Sequence, residues 1–205
     1  MLKKLPLIFN NNLVPKKVKY LVYIILLFFS FQIQSQTTII SPTGDGGFET
    51  GTTFALNGWT TNNPAQTGRN QWVCNTGATT GFSGARSAYV TNNATGIPPH
   101  AYSVGTTRAS HFYRNVTVPG GETNIILSFS WIGQGESTFD RLRIWLVPTT
   151  YNPVYGTEIT TTGTAPTGRI QVGLANYSLQ GLWTNVSFNL PTSYAGTTFR
   201  LVFEW

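Results

Sequence analysis

Strict period-2 alternation in the second half of the chain constrains the fold more than any other feature. Over Asn124–Ile132, Ile125, Leu127, Phe129 and Trp131 fall on one side, with Ile126, Ser128 and Ser130 on the other. Leu142, Ile144 and Leu146 alternate with Arg141, Arg143 and Trp145 within Phe139–Val147. Leu182, Thr184, Val186, Phe188 and Leu190 share a side, and Phe199, Leu201, Phe203 and Trp205 oppose Arg200, Val202 and Glu204. His111–Val118 is a fifth such stretch, with Phe112, Arg114, Val116 and Val118 on one face. Side chains of a strand alternate between its two faces, so each stretch reads as a half-buried β-strand. Gln71–Cys74 and Arg86–Thr91 add shorter strands between Gly/Asn/Thr turns. Strands at this spacing, with no 3.6-residue apolar stripe past the first segment, predict an all-β antiparallel sandwich of two sheets.

The first segment has a different character. Lys3, Lys4, Lys16, Lys17 and Lys19 precede an apolar run from Tyr20 to Phe31, and a polar stretch containing the small Ser35 follows. That run of 12 is shorter than the ~20 residues a spanning helix needs, so 1–35 reads as a signal-peptide helix with cleavage near Ser35. An uncleaved membrane anchor is the alternative. All the lysines lie in this leader, so 36–205 carries eight arginines against seven carboxylates, a net +1. A nucleic-acid or anionic-membrane surface needs a basic face, and this balance supplies none. Membrane contact is expected only through the leader. About 170 residues remain, enough for one cored domain. Cys74 is the only cysteine, which excludes an intrachain disulfide.

The segment Gly44-Asp45-Gly46-Gly47-Phe48-Glu49-Thr50-Gly51, closed by Asn57-Gly58-Trp59, combines a tight glycine-rich turn, one large apolar anchor and two carboxylates. It resembles the G-F-E-x-G…G-W opening of MAM-like and cleaved-adhesin-like (choice-of-anchor J) jelly-roll modules, found in secreted surface proteins of Bacteroidetes-type bacteria. Further landmarks fall in the same order: Asn70-Gln71-Trp72, Gly81–Tyr89, Phe139–Trp145, Leu182–Val186 and Tyr194–Leu201. The resemblance implies a jelly-roll-like sandwich over 36–205, secretion or surface display, and a structural Ca²⁺ held by Glu49 with Asp45. Oxygen donors suit that hard cation. If Asp45 only stabilises a turn and Glu49 only caps a strand, no calcium is needed. Related modules continue with another strand, so the resemblance also implies a sandwich left open at one edge beside Trp205.

Catalytic patterns fit poorly. Gly81-Phe82-Ser83-Gly84-Ala85 has alanine where a nucleophile elbow needs glycine, and lacks the strand–turn–helix context. Cys74 beside Trp72 and Val73 reads as a buried small hydrophobe rather than a nucleophile paired with His100 or His111. Glu136 sits in a turn and Asp140 heads a strand, which argues against a glycosidase pair. The two histidines lack zinc-site spacing.

A binding role reads better. The turn-rich loop Pro148–Gly156 carries Tyr151, Asn152 and Tyr155, which can stack on sugar rings or peptide side chains and hydrogen-bond to them. Equally, the tyrosines can close the end of the sandwich. Two function classes follow. One is a non-catalytic adhesion or carbohydrate/protein-binding module of a secreted cell-surface protein, with an extracellular glycan or surface protein as partner. The other is an accessory domain of a secreted hydrolase whose catalytic part lies beyond residue 205.

Overall fold

The computed structural model describes residues 36–64, 68–75, 81–93, 101–105, 108–136, 138–163 and 166–205. The leader with Ser35, and His100, lie outside them. Thr38–Trp205 forms one compact unit. Its strands are β1 (Thr60–Thr61), β2 (Gln71–Asn75), β3 (Ser87–Thr91), β4 (His111–Thr117), β5 (Ile125–Gly133), β6 (Leu142–Val147), β7 (Ile170–Tyr177), β8 (Gln180–Leu190) and β9 (Thr198–Glu204). All pairings are antiparallel. One layer is a five-stranded sheet in the order β1-β4-β9-β6-β7. Facing it, the second layer consists of two separate ribbons, β2-β3 and β5-β8, rather than one continuous sheet.

Alternation explains the main core. Phe112 and Val116 of β4, Leu142, Ile144 and Leu146 of β6, and Phe199, Leu201 and Phe203 of β9 face the ribbons. The ribbons contribute Trp72, Cys74, Ile125, Trp131 and Leu190. Phe112 and Phe203 stack at 4.7 Å with rings 2° from parallel, and Trp72 meets Phe112 edge-on at 4.7 Å. Burying these large side chains from both layers is the dominant favourable term of such a fold.

Three features depart from the alternation. First, the other face of the large sheet is buried too: Trp145, Val147, Val202 and Ile159 form a second cluster, with Tyr113 and Tyr151 packed against it. The loop after β6 folds back over that face, so Trp145 and Val202 lie under protein although their neighbours in phase are Arg143, Arg200 and Glu204. Second, Leu182 is 76% exposed rather than inward. Thr184 lies opposite Trp131 but Gln180 opposite Gly133, so β8 carries extra residues at a bulge that turns Leu182 out. Third, β9 is hydrogen-bonded to β4 on one side and β6 on the other. It occupies the centre of its sheet, with both of its edges paired. The unpaired edges of the second layer belong to the two ribbons.

Candidate functional site

The glycine-rich opening segment braces itself. Asp45 Oδ1 accepts hydrogen bonds from the Ser41 N–H (2.7 Å) and the Gly46 N–H (3.0 Å), while Arg114 Nη1 reaches its Oδ2 at 2.5 Å. Burial pushes the Asp45 carboxyl up, but Arg114 and the two N–H donors outweigh it and hold the group below its ordinary value. The Trp59 indole donates to the Asp45 carbonyl at 2.9 Å, and the Arg114 guanidinium lies 5.2 Å above the Trp59 ring. Phe48 is the apolar anchor, meeting Phe54 at 5.5 Å and Phe112 at 5.9 Å, and it holds a left-handed backbone (φ 61°) to do so.

Glu49 reaches across to a different turn. Its Oε1 accepts from the Ala85 N–H (2.9 Å) and the Arg86 N–H (2.7 Å), and Arg86 Nη1 lies 3.6 Å from Oε2. Gly84 is at φ 119°, and a Cβ there would fall 2.7 Å from Oε1, so this close approach requires glycine. Each oxygen of Asp45 and Glu49 therefore faces an N–H donor. A cation at either carboxylate would have to displace a guanidinium. Among the described residues no cluster of three or more His, Cys, Asp or Glu side chains could hold a metal.

One loop tyrosine packs against the sheet. Tyr151 is half-buried against the second cluster. Arg200 donates to the Tyr151 carbonyl and, at 2.6 Å, to Asn152 Oδ1, and so ties the loop to β9. Tyr155 has a buried hydroxyl without a partner among the described residues. Tyr151 and Tyr155 are thus half-buried, and Asn152 is exposed while bonded to Arg200. Cys74 is in the main core, where burial lifts its thiol to about 11 despite the opposing charge of Arg86.

A cavity of ≈ 260 Å³ opens elsewhere, where the ends of β6 and β9 meet the segments around Ser103 and Glu136. Its lining residues Arg141, Arg143 and Glu158 belong to a chain of ion pairs that continues behind the wall to Glu204. Glu204, 1% exposed, accepts from His111 Nε2 (2.8 Å), the Ile159 N–H (2.6 Å), Trp145 Nε1 (3.1 Å) and Arg143 Nη2 (2.7 Å). Arg143 continues to Glu158 at 2.9 Å, and Arg141 donates to both Glu158 oxygens at 3.2 and 3.1 Å. Burial pushes the Glu158 carboxyl up, but these two arginines outweigh it and hold the group below its ordinary value. Asn62 fixes the far side of His111. Its Oδ1 accepts the His111 backbone N–H at 2.8 Å, which turns its Nδ2 toward ring Nδ1, also at 2.8 Å. The imidazole therefore accepts at Nδ1 and donates to Glu204 from Nε2.

The cavity rim is less committed. Asp140 Oδ2 accepts from the Tyr102 hydroxyl (2.7 Å) and the Glu136 N–H (2.9 Å), and that bond pushes the Tyr102 hydroxyl up to about 12. Gly135, at φ 130°, leaves the space this contact needs, since a Cβ there would meet Asp140 Oδ2 at 2.6 Å. Arg108 and the Glu136 carboxylate also line the cavity; both are exposed and neither has a side-chain partner among the described residues. Phe139 is 64% exposed at the rim, and Trp205 forms part of the wall. The guanidinium Nε of Arg143 is buried without an acceptor among the described residues. Sequence reading named Glu136 and Asp140 only as a rejected catalytic pair. Comparison with known families, with characterised proteins and with solved structures returns no match.

Proposed function

We propose that this chain is a non-catalytic carbohydrate- or protein-binding module of a secreted cell-surface protein, and that its ligand seats in the cavity beneath Phe139. The observation that carries this reading is the pairing of uncommitted polar groups with aromatic walls. Arg108 and Glu136 offer a donor fork and an acceptor, and Phe139 and Trp205 offer ring surface beside them. Small polyhydroxylated ligands are held by that combination of stacking and convergent hydrogen bonds. The carboxylates of the cavity wall and behind it support binding over catalysis. Glu204, Glu158 and Asp140 are each held by N–H or O–H donors, and His111 spends both ring nitrogens on Asn62 and Glu204. Ser103 Oγ is spent as well, donating to the Gly68 carbonyl at 3.0 Å. No nucleophile–base pair remains among the described residues lining the cavity.

A glycan array followed by calorimetric titration of a hit tests this. Phe139→Ala and Arg108→Ala should each weaken binding by about tenfold or more, the scale of about 1.4 kcal/mol for a lost anchor. A hit bound equally well by both variants places the ligand elsewhere.

A further inference from the structure

We propose a second binding site, separate from the cavity: the outer face of the β5–β8 ribbon, shaped for a neutral polysaccharide chain. Neither strand carries a single ionisable side chain over its nine and eleven residues. Most outward positions are instead hydroxyls and amides, with Ile126 (43% exposed) standing opposite Asn189 at one end. Ser128 lies opposite Ser187, and Ser130 opposite Asn185, whose Nδ2 donates to the Ser130 hydroxyl at 3.1 Å. Ser128, Asn185, Ser187 and Asn189 are exposed. From Trp183 to Asn189 this row runs about 20 Å at ~3.3 Å per residue, long enough to track several sugar units of an extended chain.

An aromatic pair stands at one end of the row. Trp183 precedes Asn185 in the strand alternation, and Phe82, 54% exposed, approaches it with ring centroids 6.2 Å apart and planes at 59°. Phe82 does not come from the ribbon. It projects from the Gly81–Arg86 turn, which Glu49 clamps through the Ala85 and Arg86 N–H groups. The clamp gives the opening segment a use: it holds Phe82 in place next to Trp183 before any ligand arrives, so little ordering is left for binding to supply. Glu49 is accordingly a positioning residue, and Phe82 and Trp183 are the stacking surface.

The chemistry selects the occupant. Ser and Asn side chains both donate and accept, as sugar hydroxyls require of a partner. Stacking on an aromatic ring covers the apolar face of a pyranose. An anionic chain finds no cation on either strand, and a protein partner finds exposed apolar side chains only at the two ends, Ile126 and Leu182, with the Ser/Asn row between them. A neutral glycan satisfies all three conditions.

The test is affinity electrophoresis of the full chain in gels cast with soluble neutral polysaccharides (xylan, mannan, mixed-linkage β-glucan) and with anionic alginate. The proposal expects retardation by at least one neutral polymer and none by alginate. Trp183→Ala and Phe82→Ala should each weaken that retardation about tenfold or more, and Trp183→Tyr should keep most of it. Glu49→Ala should weaken it several-fold while Trp183 and Phe82 are intact. A thermal melt of each variant separates lost binding from lost folding, and the Tyr variant guards against a Trp183→Ala chain that fails to fold. Phe139→Ala reads the cavity independently. Retardation lost in Phe139→Ala but kept in Trp183→Ala overturns the ribbon site and leaves the cavity standing; the reverse pattern supports the ribbon and counts against the cavity as the seat. Retardation by alginate, or by no neutral polymer, overturns the ribbon proposal.

Discussion

Replacing Glu204 with glutamine should cost a large share of the stability of the sandwich. The carboxylate is 1% exposed and is the acceptor for four donors from three parts of the chain: His111 on β4, Trp145 and Arg143 on β6, and the Ile159 backbone beyond it. An amide keeps the volume but removes the charge opposite Arg143 and points its own N–H groups at donors. Removing one partner of a buried pair costs about 3–5 kcal/mol, because the other charge stays buried. Glu158 still pairs with Arg143 at 2.9 Å, which keeps the cost near the lower figure. For a domain of this size each kcal/mol moves Tm by about 2–4 °C, so Glu204→Gln should melt roughly 10 °C below the parent. Thermal melts followed by circular dichroism, checked by urea titration, read this directly. Glu122→Gln is the baseline, since that carboxylate has no partner among the described residues, and it should shift Tm by little. A Glu204→Gln chain within about 2 °C of the parent refutes the claim that this network holds the sheet to its covering loop.

Three further outcomes follow from the site geometry. Millimolar calcium should leave Tm unchanged, because Asp45 and Glu49 are occupied by Arg114, Arg86 and backbone N–H groups; a clear calcium-dependent rise contradicts that assignment. Asp45 and Glu158 both titrate below their ordinary values of 3.8 and 4.5, so the stability they contribute is present above those values and lost as pH falls through their lowered ones. Acid melts of Asp45→Asn and Glu158→Gln should therefore lose part of the parent's decline in that range, and an unchanged slope counts against the ion pairs. Cys74, with its thiol at about 11 and buried in the main core, should react with iodoacetamide at pH 8 only as fast as the chain unfolds; prompt labelling of the native protein contradicts its placement.

Much of the sandwich was readable from alternation, because β4, β5, β6 and β9 each place a run of large apolar side chains on the face toward the ribbons or the sheet opposite. The short strands β2 and β3 were also found, within a residue of their ends. What escaped was anything set by long-range contact. β7 was missed, its alternation broken by Gly173 and by polar positions that serve a sheet edge. Trp145 and Val202 read as outward because the covering loop is turn-like in sequence, and nothing local says it folds back. Asp45 and Glu49 announced themselves as carboxylates in a glycine-rich turn, but their partners lie 69 and 37 residues away. The cavity was invisible for the same reason, being assembled from residues as far apart in sequence as Asn70, Ser103, Arg108, Glu136, Glu158 and Trp205. The tyrosine loop shows the limit most plainly. Turn composition implies partly exposed tyrosines, and Tyr151 and Tyr155 are half-buried, but nothing local announces that Arg200 on β9 ties the loop to the sheet.

The binding claim is tested most directly by amide and indole chemical-shift mapping of the ¹⁵N-labelled chain during titration with a short neutral oligosaccharide from the array. The account predicts saturable shifts at the Arg108 side chain, the Phe139 amide and the Trp205 indole, with the Tyr151 and Tyr155 amides unmoved. Shifts confined to the Tyr151–Tyr155 loop, or saturating binding that leaves Arg108, Phe139 and Trp205 in place, would contradict it.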